Sequence, residues 1–193
     1  MILIRQDQLN LVDPETPIMR NQLLPFNFAE HDPDDVKRLG QVLANKMVEL
    51  GGVGLSANQV GLPYRMFVMG TADNNVVIVN PEIVEFRGEP DTFREGCLSY
   101  PGLQMYIKRP PRILVRYQNV EGELRELEYA GLSARIFQHE YEHMQGRDFT
   151  VGASKLKLRM AKERYEKQRK QLIRKHALQT LLKAHEDGQK HTG

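Results

Sequence analysis

The clearest hydrophobic pattern spans residues 34–50, where Val36, Leu39, Leu43, Met47 and Leu50 recur at intervals of three or four. That spacing puts them on one face of a helix. Asp32 stands at the N-cap, Pro33 falls in the first turn, and Asp34 and Asp35 meet the positive end of the helix dipole. Gly51 and Gly52 then stop the helix. A second helix is predicted over 132–145, with Gly146 as its stop. From Arg65 to about Tyr129 the apolar runs are short and β-rich, at 66–69, 76–79, 83–86, 113–117 and 124–129, with Pro and Gly between them. Residues 112–118 and 123–129 read as a hairpin across 119–122. The first thirty residues mix Pro, Asn and Asp with isolated apolar residues and predict loop with one short strand. In the tail, Leu158, Tyr165 and Leu172 recur every seven residues, a narrow stripe that predicts an extended helix resting lightly on the body.

Composition changes this picture in two ways. With 193 residues, 40% hydrophobic and 27% charged, the chain suits one globular domain plus an appendage. It has no run of eighteen apolar residues, and the opening MILIRQDQLN lacks the apolar stretch and cleavage site of a signal peptide. A cytoplasmic protein is therefore expected, with neither membrane nor DNA as a partner. The net charge of +2 masks an asymmetry, because residues 154–193 hold 12 Lys+Arg and 4 Asp+Glu, a net of +8. Residues 1–153 are left at −6, so an acidic body at 1–153 and a basic helical extension at 154–193 are expected to meet different partners.

Candidate chemistry lies in His139, Glu140, Tyr141, Glu142 and His143. Positions four apart share a helix face, so His139 and His143 can offer imidazoles to one metal ion, with Glu140 beside them to act on water. Two surface histidines on an ordinary helix would explain the same pattern. Leu132, Ile136, His139 and His143, however, follow at intervals of 4, 3 and 4, so the histidines extend a stripe expected to face the core. Buried imidazoles without partners are costly, and a metal satisfies them. A catalytic site needs a third ligand, and the remaining histidines lie in the early loop or the tail. Cys97, the single cysteine, is the candidate, and Gly96 before it allows close backbone approach. Two histidines and a thiolate would lower the pKa of water towards neutrality.

The segments Gly52-Val53-Gly54-Leu55-Ser56-Ala57-Asn58-Gln59, Glu95-Gly96-Cys97-Leu98-Ser99 and His139-Glu140-Tyr141-Glu142-His143 together resemble the peptide deformylase family, marked by GxGLAAxQ, EGCLS and HExDH in that order. The resemblance covers roughly residues 35–150. It implies an α+β fold of mostly antiparallel strands around the helix bearing His139 and His143, and a hydrolase that removes formyl from N-terminal formyl-methionine. It implies Cys97, His139 and His143 as metal ligands, with iron(II) the usual metal and zinc, nickel or cobalt able to substitute. Glu140 would move the proton, while the Gln59 amide and the Leu98 backbone N–H would hold the oxyanion. Gly54 and Gly96 would lie along the substrate, and Val53, Leu132 and Ile136 would line the methionine pocket. Some family members dock on the ribosome through a basic C-terminal helix, which the extension here could do. The chain departs from the motifs at Ser56, where alanine is usual, and at Glu142, where aspartate is usual. A zinc peptidase shares HExxH but takes its third ligand further on. An RNA-binding protein with a vestigial hydrolase body would account for the tail alone.

Overall fold

The computed structural model describes residues 8–151 and, in the basic extension, positions 155, 156, 158–161, 163, 164, 167 and 170. Within residues 8–151 there are three α-helices: α1 (Pro17–Arg20), α2 (Pro33–Glu49) and α3 (Gly131–Met144). Seven strands accompany them: β1 (Gly54–Ser56), β2 (Met66–Gly70), β3 (Asn75–Arg87), β4 (Asp91–Cys97), β5 (Tyr100–Arg109), β6 (Arg112–Gln118) and β7 (Leu124–Ala130). Five strands form an antiparallel sheet in the order β1-β2-β3-β6-β7, and β4 pairs antiparallel with β5 as a separate hairpin. The α+β class and the antiparallel pairing match expectation.

Local chemistry explains the helices. Asp32 caps α2 by accepting from the Asp34 N–H at 2.9 Å, with Pro33 in the first turn. Gly146 follows α3 at φ 69, the left-handed conformation that closes a helix end. The sheet passes between α2 and α3. Met66 and Val68 of β2 pack with Leu39, Leu43 and Met47 of α2, while Phe67 and Met69 pack with Phe137 and Met144 of α3. Burial on both faces explains why β2 reads as an unbroken apolar run. Each such side chain contributes roughly 1.5–3 kcal/mol of burial.

Three expectations are corrected. The runs at 76–79 and 83–86 belong to one strand, β3, whose register shifts around Asn80 and Pro81. Proline has no N–H to give a ladder, and a bulge tolerates it. Strands β4 and β5 were not expected. Residues 8–30 hold the short helix α1 and a single turn of 3-10 helix at Phe28–Glu30, while positions 1–7 of the stretch read as loop with one short strand lie outside the described residues. Leu132 does not face the core but is exposed, and Ile136 is only partly buried against it; the core face of α3 is built by Ala134, Phe137 and Met144. Because α3 runs between the sheet and the β4–β5 hairpin, its second face borders a cleft. In the extension, the described positions are helical, and Leu158 and Ala161 pack with Leu103, Met105 and Phe149. Tyr165 and Leu172, with the rest of the predicted tail helix, lie outside the described residues.

Candidate active site

The cleft beside α3 has a volume of about 660 Å³ and brings together three separated segments. Val53 and Gly54 come from the start of β1, Gln59 from the following 3-10 turn, and Gly96, Cys97 and Leu98 from the end of β4. Leu132, Ile136, His139 and Glu140 come from α3. His143, one turn further on, is fully buried behind them. Of the residues given catalytic, ligand or substrate roles in the sequence, all but His143 line the cleft.

Ligand-type atoms of Cys97, His139 and His143 lie within 4.8 Å of one another. The Cys97 Sγ is 3.3 Å from His143 Nε2. Glu95 Oε2 sits 3.2 Å from His139 Nδ1, which leaves the other ring nitrogen of His139 for the centre of the cluster. Glu95 is itself clamped. Arg109 donates to both of its oxygens, at 2.8 and 3.0 Å, and Arg135 donates at 2.8 Å. Arg109 also forks onto Glu142 at 2.8 and 2.9 Å. The glutamate that replaces the motif's aspartate thus holds the arginine that holds Glu95, and Arg135 is further anchored by Asp91.

The electrostatics follow from this packing. Burial works against the Glu95 carboxylate, but the bonds from His139, Arg109 and Arg135 prevail and hold its pKa at about 2. Burial pushes Glu140 up to about 7, offset in part by the charge of His139 and the Ser56 backbone. His143 is driven down to about 3 by burial and by the neighbouring His139 charge. Burial also pulls on His139, yet bonds to Cys97 and Glu95 outweigh it and raise its pKa to about 10. Among the described residues, Glu140 Oε2 and His143 Nδ1 are buried without hydrogen-bond partners. A thiol, two imidazoles and a nearby unpaired carboxylate oxygen fit a divalent cation with an adjacent base.

Opposite Cys97, the Gln59 Nε2 donates to Ser99 Oγ at 3.0 Å and towards Cys97 Sγ at 3.4 Å. Sequence reasoning gave no role to Glu95, Arg109, Arg135, Ser99 or Phe93, which also borders the cleft and lies under the Arg135 guanidinium at 5.5 Å. Glu95 stood within a quoted motif, but nothing in periodicity or spacing marks Arg109 or Arg135 as its partners.

Known proteins are similar to this chain in sequence and in fold. A family model described as polypeptide deformylase matches residues 9–159. A peptide deformylase of Bartonella quintana is 37% identical over 171 residues, 86% of this chain and 94% of that protein. Among solved structures, a peptide deformylase from Synechococcus elongatus in complex with actinonin aligns with a TM-score of 0.75 at 28% identity, covering 82% of this chain and 86% of that one. The class I type b peptide deformylase of Acinetobacter baumannii, with Met-Ala-Ser bound, aligns with a TM-score of 0.69 at 32% identity, covering 74% and 96%. A match over most of the sequence and a shared fold at these identities place the chain in the polypeptide deformylase family.

Proposed function

We infer that this chain hydrolyses the formyl group from the N-terminal formyl-methionine of newly synthesised polypeptides, releasing formate, and that Cys97, His139 and His143 hold the metal the reaction needs. The observation behind this reading is the convergence of those three side chains within 4.8 Å, in a cleft that also holds the buried Glu140. A divalent cation at such a site supplies a Lewis acid that brings the pKa of water towards neutrality. Iron(II) is assigned as the cellular metal, with zinc, nickel or cobalt as substitutes. A thiolate beside iron(II) oxidises readily, so activity should fade in air.

The chain's own groups perform the remaining work. Glu140, with a pKa raised by burial to about 7, takes a proton from the attacking water and returns it to the departing amine as the C–N bond breaks. The Gln59 amide and the Leu98 backbone N–H donate to the oxyanion that develops on the formyl oxygen. Gly54 and Gly96 lie along the substrate backbone, while Val53, Leu132 and Ile136 receive the methionine side chain. The Met-Ala-Ser bound to the Acinetobacter baumannii protein supports a peptide as the occupant of this cleft. Residues 1–153 form the catalytic unit and residues 154–193 a basic extension that docks on the ribosome, in the cytoplasm where nascent chains emerge. No helix among the described residues is long and apolar enough to cross a membrane.

The test is formate release from a formyl-Met peptide by protein prepared anaerobically with iron(II), alongside Glu140→Ala. The wild type should release formate; the variant should keep its metal and lose turnover. Equal turnover by the variant would remove Glu140 from the mechanism. Cleavage of an internal peptide bond in place of formate release would instead identify a peptidase.

A further inference from the structure

Ser56 ends β1 and immediately precedes the 3-10 turn that bears Gln59. Its side chain is fully buried, where a hydroxyl is costly unless hydrogen-bonded. The Oγ donates to Gln59 Oε1 at 3.0 Å, and the Ser56 backbone N–H donates to the same oxygen at 2.9 Å. A carbonyl oxygen has two acceptor positions, and both are therefore filled from one residue. The amide's orientation follows. A backbone N–H can only donate, so Oε1 must face Ser56, and Nε2 is turned towards Ser99 Oγ and Cys97 Sγ, at 3.0 and 3.4 Å. The weaker of those two contacts points into the ligand cluster, where an oxyanion would take the hydrogen over. Two donors on Oε1 also polarise the amide and strengthen its N–H bonds.

We propose that Ser56 is a positioning residue for the reaction: its hydroxyl holds the Gln59 amide with nitrogen facing the reacting carbonyl, without itself touching substrate. The proposal rests on the deformylase reading of the cleft. It gives a purpose to one of the two positions at which the chain departs from its family's motifs. An alanine there keeps the backbone donor and loses the second one, so the amide gains freedom to rotate and its N–H weakens as a donor.

The experiment compares wild type, Ser56→Ala, Gln59→Ala and the double variant, each loaded with zinc so that the protein stays diamagnetic. Two quantities are read: steady-state formate release from a formyl-Met peptide, and solvent exchange of the Gln59 side-chain amide by ¹H–¹⁵N NMR. The amide signal is assigned by its loss in Gln59→Ala. Ser56→Ala should lower kcat by about three- to tenfold, the effect of one hydrogen bond, with KM and metal content unchanged. Its Gln59 amide should exchange faster than in wild type. In the Gln59→Ala background the same substitution should change nothing further. Equal kcat and equal exchange in Ser56→Ala would overturn the proposal, and so would a full additional loss in the double variant. No formate from fully loaded wild type would overturn the deformylase reading itself, an outcome distinct from both.

Discussion

A methyl group built on Gly54 would lie 2.9 Å from Glu140 Cδ and 3.0 Å from Cγ, with Oε1 nearer still. Gly54 is not at positive φ, so space rather than backbone freedom requires glycine there. The carboxylate is thereby pressed against β1, facing the cleft. Gly54→Ala should push Glu140 aside while leaving Cys97, His139 and His143 in place. Formate release should fall about 100-fold, since displacement of a catalytic group by about an ångström has that order of effect. Metal content measured on the same sample should stay at wild-type level; loss of metal together with activity would show that the loop supports the ligands instead. The cluster of candidate ligands was legible in the sequence because two of them repeat at helical spacing and the third is the single cysteine. The clamp behind them was not. Glu95 meets Arg109, Arg135 and His139 across 14, 40 and 44 residues, separations at which no local pattern exists.

At the scale of elements, α2, α3 and the β6–β7 hairpin were readable because each repeats its own period for at least two turns or three pairs. The β4–β5 hairpin also has a period: Leu103, Met105 and Ile107 alternate with Gln104, Tyr106 and Lys108. Gly96 and the pair Pro101-Gly102 interrupt it and made the region look like connection. Besides the Glu95 and Arg109 bonds to α3, this hairpin is anchored by Asp148, just beyond α3. Its buried carboxylate accepts from Tyr100 Oη of β5 at 2.6 Å, from Arg20 of α1 at 2.9 Å and from the Thr150 N–H at 2.8 Å. Burial alone would raise its pKa, but the bonds from Thr150 and Tyr100 and the charge of Arg20 prevail and hold it below the ordinary 3.8. A depressed folded-state pKa gives stability that is present above the unfolded value and lost as pH falls through the folded one. Asp148→Asn should therefore cost about 2–4 kcal/mol at pH 7 and flatten the loss of stability below about pH 4. Thermal unfolding followed from pH 7 down to pH 2 reads both effects. Parallel acid limbs for the two proteins would show that Asp148 is not the titrating anchor.

The whole molecule is a dipole in charge, with a body at −6 and an extension at +8. The order of strands in the sheet could not be read from pattern, because β3 pairs with β6 across an intervening hairpin; the architecture came from the motif resemblance. Charge, in contrast, is a property of the sequence alone, and the fold gives it direction. In the described part of the extension, Leu158 and Ala161 turn inward to Leu103, Met105 and Phe149, while Lys155, Arg159, Arg164, Lys167 and Lys170 are exposed. Apolar contact holds the start of the extension to β5 and leaves these basic side chains on the solvent side. Truncation after Arg164 keeps Leu158 and Ala161 and removes 7 Lys+Arg and 3 Asp+Glu. Formate release from a short formyl-Met peptide should then be unchanged, because every cleft residue lies upstream. Affinity for ribosomes, measured by co-sedimentation over a range of salt, should fall, and log affinity against log salt should become shallower as phosphate contacts are lost. Full affinity with an unaltered salt slope would show that the basic run beyond residue 164 takes no part in docking.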